Sequence, residues 1–327
     1  MRNESILTKS WKPVMIAMFC LLAIGLTLSF PMESTAFPTK EIKIISPWKP
    51  GGLNDTLSRA VAKYSSSFMG KPIIVENMPG GAGVVGNKFV ERAKPDGYVL
   101  LMASSSTLFT QYVSYTPNDI KNLAAVIQVC YTPPVLVVKA DSPWNSLKDF
   151  LGFARKNPNT ISCANSGSGG SSHIYTTMLE NKTGVKVKHV PYKGYAPSVA
   201  AVLGGHVKAT IVTPGVARQH VKAGKLKVLG IASKERFYVF PDARTFVEQG
   251  VDLIIEHWVG LMGPKGTPKD KIQILADAFD KGMEAEDFKK LTKKRGLEIQ
   301  KRRGLDFQRF VDREDESWAG LIKGLKF

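Results

Sequence analysis

The chain has 327 residues, 43% hydrophobic and 22% charged, with 45 Lys and Arg against 28 Asp and Glu for a formal charge of +17. That composition excludes a disordered or fibrous protein, and the length favours two domains over a single core. The positive balance admits nucleic acid, an acidic membrane or an anionic ligand as partner. No nucleic-acid-binding motif accompanies it, so no nucleic-acid partner is expected.

The N-terminus reads as a targeting segment. Arg2, Lys9 and Lys12 precede an apolar run from Val14 to Phe30, and Ser34-Thr35-Ala36 closes it with small residues. This is the three-part pattern of a cleavable secretory signal over residues 1–36, the alternative being an uncleaved anchor. Phe19 before Cys20 is too bulky for a lipoprotein signal. Export to the periplasm is therefore expected.

Strand-like and helix-like patterns then alternate. Ile42–Ile45 reads as a strand, and Asn54–Met69 as a helix with Leu57, Val61, Tyr64 and Phe68 on one face. Ile73–Val75 and Tyr98–Met102 are strands with a helix over Asn87–Arg92 between them. Ala124–Val129 and Val135–Val138 are strands broken by Pro133-Pro134, and Ser146 with Asp149 caps a helix running to Lys156. Further strands fall at Ile161–Ala164, Val187–Val190, Ala209–Val212 and Val228–Ala232, with helices from Ser171, Ala196 and Val216. Leu253–Glu256 and Trp258–Met262 are strand-like, and helices follow over Pro268–Gly282 and Leu305–Gly324. Such alternation indicates βαβ units and mainly parallel sheets. The basic clusters Lys289-Lys290, Lys293-Lys294-Arg295 and Lys301-Arg302-Arg303 read as solvated helix faces and loops.

Three strand ends carry the chemistry. Trp48-Lys49-Pro50-Gly51-Gly52-Leu53-Asn54-Asp55 follows the first strand and opens a helix. Its glycines permit a tight turn and close backbone approach, and Asn54 is a fitting N-cap. The first amides of a helix lack intrahelical partners and sit at the positive end of its dipole, so they receive an anion without a charged side chain. The segment has neither the Gly-Lys-Ser/Thr of a nucleotide loop nor dinucleotide-type glycine spacing. Asn165 to His173 repeats the arrangement, with Ser168, Gly169, Gly170, Ser171, Ser172 and His173 as the candidate residues. A third polar loop, Ser104-Ser105-Ser106-Thr107, follows the strand ending at Met102. Ligands of open α/β sheets bind beyond the carboxyl ends of the strands, where all three loops lie.

Other residue types are less telling. Cys130 and Cys163 each end a strand-like run, and either a disulfide or two buried thiols is compatible with that placement. No Cys/His spacing resembles a metal site, and no cofactor is expected. The histidines form no readable acid–base set, and Ser171 and Ser172 lack a hydrolase elbow, so no enzyme is expected.

Runs along the chain resemble the tripartite tricarboxylate transporter receptor family, the Bug-type periplasmic solute-binding proteins. They are Pro50-Gly51-Gly52 with Asp55, Glu76 to Gly83, Pro95-Asp96-Gly97-Tyr98, Ser171-Ser172-His173 and Val190-Pro191-Tyr192-Lys193-Gly194. Leu203-Gly204-Gly205, Lys222 to Leu226, and Trp258-Val259-Gly260-Leu261 running to Pro264, Thr267 and Pro268 continue the series in family order. The resemblance implies an α/β fold of two lobes with crossing strands, lobe 1 over 37–137 plus 256–327 and lobe 2 over 138–255. It also implies a small carboxylate ligand, membrane permease subunits as partners, and a monomer. A ligand-sensing partner of a membrane sensor kinase is the alternative. Four positions depart from the family pattern: Lys49 stands for a small residue or Pro, Leu53 for a third glycine, Tyr195 for a glycine, and Val212-Thr213 for an acidic-polar pair. Thr213 joins the candidate site, and loss of the acidic residue favours a plain organic acid over an amino acid.

Overall fold

The computed structural model describes residues 37–113 and 119–322. The signal-peptide reading of residues 1–36 and the helix end at Gly324 lie outside them. Among the described residues no helix is long and apolar enough to cross a membrane.

From Lys40 onward the chain folds as one compact unit built on two sheets. β1 (Ile42–Ser46), α1 (Leu53–Met69), β2 (Ile73–Asn77), α2 (Val84–Glu91), β3 (Val99–Ser104) and α3 (Ser105–Val113) come first, followed by β4 (Leu123–Thr132). The second sheet then runs β5 (Val135–Lys139), α4 (Leu147–Lys156), β6 (Ser162–Asn165), α5 (Ser171–Thr183) and β7 (Lys188–Pro191). It ends with α6 (Tyr195–Leu203), β8 (Ala209–Val212), α7 (Pro214–Lys222) and β9 (Leu226–Ile231). The chain returns through β10 (His257–Pro264), α8 (Lys269–Met283), α9 (Glu286–Arg295), β11 (Glu298–Ile299) and α10 (Gly304–Ile322).

The first sheet has the order β11-β4-β10-β3-β1-β2 and the second β7-β6-β8-β5-β9. β1 lies parallel to β2 and β3, whereas β10 is antiparallel to both β3 and β4. β6 is parallel to β7 and β8, and β5 antiparallel to β8 and β9. The fold is thus α/β and two-lobed, with two crossings between lobes. The first crossing is Pro133-Pro134, which cannot donate to a ladder. β5 belongs wholly to the second sheet, which therefore begins at Val135. In the second crossing, Leu253–Glu256, the Ile255 N–H donates to the Ala232 carbonyl at 2.9 Å but no ladder develops, so the strand expected there is absent.

β10 is buried over its whole length because it is flanked on both edges. Leu57 and Val61 of α1 are buried as expected, whereas Phe68 is exposed because the apolar stripe drifts off the core by the last turn. Tyr64 between them meets Phe288 of α9 edge-on at 6.4 Å. The Ser146 hydroxyl accepts from the Asp149 amide at 3.1 Å, as the capping pair predicts. One apolar cluster runs through both lobes. At its waist Phe109 stacks on Trp318 at 4.3 Å, and Tyr175 of lobe 2 meets Phe109 edge-on at 6.0 Å. Cys130 and Cys163 are buried free thiols, one in each sheet, which decides between the two readings of the sequence.

Candidate functional site

The β1–α1 turn forms one wall of the cleft between the lobes. Gly51 has φ +82°, a left-handed conformation that only glycine adopts freely. Its N–H donates to Asp55 Oδ2 at 2.9 Å. Asp55 also accepts from Asn77 Nδ2 at 2.9 Å and Arg59 Nε at 3.0 Å. Burial alone would raise the Asp55 carboxyl, but the bonds from Gly51, Asn77 and Arg59 outweigh it and hold its pKa below the ordinary value. Asn77 Nδ2 also ties down the Trp48 carbonyl at 3.0 Å. Asn54 is not the N-cap: Gly52 occupies that position, and the Asn54 amide is turned inward to the Met102 carbonyl at 3.1 Å.

Lobe 2 supplies the facing wall. The Gly169 N–H donates to His173 Nδ1 at 3.0 Å, Gly170 N–H to the Gly167 carbonyl at 3.0 Å, and Ser172 N–H to Ser166 Oγ at 3.2 Å. Ser172 is fully buried and its hydroxyl bonds the Ile211 carbonyl at 2.7 Å, fixing α5 to β8. Burial, and then the neighbouring His189, push His173 down to about 4, so its Nδ1 stays an acceptor. The glycine amides are thus engaged within the loops at Gly51, Gly52, Gly169 and Gly170, the Gly52 N–H donating to the Lys49 carbonyl at 3.4 Å, and serve to hold the loops' own shape. At the two helix starts the amides of Leu53, Asn54, Asp55 and Ser171 have no acceptor among the described residues. All four open a helix, where the dipole is positive.

Ser104 to Thr107 is not a loop: Ser104 ends β3 and Ser105 begins α3. Ser105 Oγ accepts the Trp258 N–H at 3.0 Å and donates to the Glu256 carbonyl at 3.2 Å, bracing the second crossing. Ser106 Oγ reaches across the lobes to Ser171 Oγ at 3.0 Å. Below them Tyr175 Oη lies 2.7 Å from His257 Nδ1, again one residue from each lobe.

The cavity so enclosed is about 770 Å³. Of the residues singled out in the sequence, Trp48 to Asn54, Ser104, Ser106, Gly169, Gly170, Ser171 and Thr213 line it together. Asp55, Ser105, Thr107, Ser168, Ser172 and His173 do not; all but Ser168 are bonded behind the walls or belong to such a bonded segment. Pro79, Gly80, Ala82, Gly83, Thr110, Ser166, Lys193, Gly194, Tyr195, Gly215, Val216, His257, Arg295 and Leu297 complete the lining. Pro79 to Gly83 and Lys193-Gly194 lie in runs that carry the resemblance, Tyr195 at a departure from it and Ser166 in the second polar loop, whereas Thr110, Gly215, Val216, His257 and Leu297 carry no local signal. Arg295 sits in a run that reads as solvated, and reaches the cleft only because α9 ends against α7.

The lining contains three cations, Lys49, Lys193 and Arg295, and no Asp or Glu among the described residues. His257 is neutral, pushed down to about 4 by burial. Arg302 is likewise not a solvated charge: it bonds Glu256 at 2.6 Å and Gln128 at 2.7 Å beneath the second crossing. Among the described residues no cluster of His, Cys, Asp or Glu is arranged to hold a metal ion.

A two-lobed α/β chain with a polar, cationic cleft at the strand ends is a solute receptor by architecture. The chain belongs to the tripartite tricarboxylate transporter receptor family, whose model matches residues 57–327. A Cupriavidus necator protein described as "UPF0065 protein in gbd 5'region" is 33% identical over 281 residues, covering 84% of this chain and 85% of that one. A ligand-free crystal structure of a TctC solute-binding protein from Polaromonas is similar with a TM-score of 0.80 and 30% identity, covering 88% of this chain and 100% of that one. An R. palustris protein solved with adipate has a TM-score of 0.75 and 25% identity, covering 88% of this chain and 97% of that one.

Proposed function

We propose that this chain is an exported periplasmic receptor that captures a small organic acid between its lobes and hands it to the permease of a tripartite transporter. The observation that carries this is the lining of the cleft: among the described residues, three cations, unpaired amides at two helix starts and no acid. Such a lining stabilises an anion, repels a cation and leaves the ammonium group of a zwitterion without a counter-charge. Adipate in the R. palustris relative supports a carboxylate. The chain acts as a monomer and performs no chemistry on its ligand. Ser106 and Ser171 bond each other and no imidazole, so the cleft offers no activated nucleophile.

The test is a thermal-shift and native mass spectrometry screen of mono-, di- and tricarboxylic acids against sugars and amines. A bound acid at about a hundred times Kd stabilises by about 2.7 kcal/mol. Lys49→Gln with Arg295→Gln should weaken it about tenfold and flatten its salt dependence. A screen in which sugars or amines raise Tm and no acid does would overturn the reading.

A further inference from the structure

Two polar side chains lining the cleft present atoms that bond nothing among the described residues. The Tyr195 hydroxyl is buried without a hydrogen-bond partner, with Ser171 beside it but outside bonding geometry. A buried hydroxyl left in that state is destabilising, so its retention points to a partner the protein does not itself supply. Tyr195 begins α6 in lobe 2 and lines the cavity.

The second group is His257, 6% exposed, the first residue of β10 in lobe 1 and also part of the lining. Its Nδ1 is paired with Tyr175 Oη at 2.7 Å. Tyr175 is fully buried, and burial keeps its phenol protonated; in the tautomer we assign, that O–H donates to Nδ1. A neutral imidazole that accepts at Nδ1 carries its own proton on Nε2. Nε2 has no partner among the described residues, and it is the nitrogen left to the cavity. Tyr175 thus acts as a positioning residue that makes His257 an uncharged donor. Tyr195 supplies another uncharged donor from the opposite lobe. The cations Lys49, Lys193 and Arg295 are all exposed side chains of the cleft, whereas this pair lies deeper.

We infer that His257 Nε2 and Tyr195 Oη form a second ligand subsite that receives an uncharged acceptor oxygen, a keto or hydroxyl group carried by the organic acid. This rests on the carboxylate reading and extends it. A second carboxylate would be poorly served there, because burying a charge against neutral donors alone carries a large desolvation penalty. A carbonyl or hydroxyl oxygen matches two neutral donors without that penalty. A site built to bond such an oxygen rejects the analogue lacking it, since its own donors are then left unpaired.

Calorimetric titration of matched acids tests this: succinate with malate, glutarate with 2-oxoglutarate, and adipate with 3-oxoadipate. The wild-type protein should bind the oxygenated member of at least one pair about tenfold or more tightly than its deoxy partner. Tyr195→Phe should erase that preference at unchanged Tm, because the lost hydroxyl bonds nothing in the protein. His257→Phe should erase it too, at a lower Tm because the buried Tyr175 hydroxyl loses its partner, and His257→Gln, which keeps an N–H donor, should restore part of the preference. Tyr175→Phe should weaken the preference without touching the cleft, and should move the histidine ring 15N shifts away from the Nε2–H tautomer. Binding of deoxy acids in preference, or an unchanged ratio in both Phe variants, would overturn the subsite and leave the carboxylate receptor standing. Failure of every acid to bind would overturn both.

Discussion

Asp55 shows how a single residue can govern the cleft without facing it. Its carboxylate holds the Gly51 amide, Asn77 and Arg59 together, which fixes the turn from which the Leu53 and Asn54 amides project. Asp55→Ala should destabilise the protein by about 1–3 kcal/mol by urea melting and lower acid affinity more than tenfold, since it leaves buried donors unpaired. Its pKa is depressed, so the stabilisation is present above the unfolded carboxylate range and is lost as pH falls through the folded value.

The histidines act at higher pH. His173 and His257 are held down to about 4 by burial, so the unfolded chain binds more protons than the native one between about 6.5 and 4. Stability therefore falls on acidification through that window, with His257 accounting for on the order of 3 kcal/mol. Glu314 opposes them: burial, and then Glu256, hold it up to about 7, so its protonated form favours the fold until pH rises through that value. Tm measured from pH 7 to 4.5 should drop less in His257→Gln and more steeply in Glu314→Gln than in wild type.

Among the elements, α7 and α9 meet across the lobes at the mouth of the cleft. A Cβ on Gly215, near the start of α7, would lie 2.1 Å from the Arg295 carbonyl at the end of α9. Gly215→Ala should therefore hold the lobes apart, lowering acid affinity at least tenfold while Tm without ligand changes by less than a few degrees. An unaltered Kd would show that this contact plays no part in closure. The sequence makes most strands and long helices legible because their apolar period is strong, as in Ile42–Ser46 and Leu147–Lys156. It hides α3, whose serines read as a loop, and α9, whose charges mask the buried Phe288 and Thr292. The glycine turns are equally legible as turns. Which amides they leave unpaired is not, because Asp55 and His173 bond back across four residues in ways no spacing rule distinguishes from capping. His257, Tyr195 and Arg295 converge only through tertiary packing.

At the scale of the whole molecule, the chain leaves the first sheet after β4 and returns to it with β10, so the strands of the second sheet form one continuous stretch set inside a divided first sheet. β10 is the strand that joins β3 to β4, and it comes last of the three. A fragment ending near residue 250 should keep the circular dichroism and cooperative melting of a small α/β body for lobe 2 while lobe 1 stays protease-sensitive. Equal protection of both halves would contradict this. The late arrival of β10 has a consequence for biogenesis. A polypeptide emerging N-terminus first presents β1 to β3 as one ribbon and β4 as a lone strand, and these become a sheet only when the tail slides β10 between them.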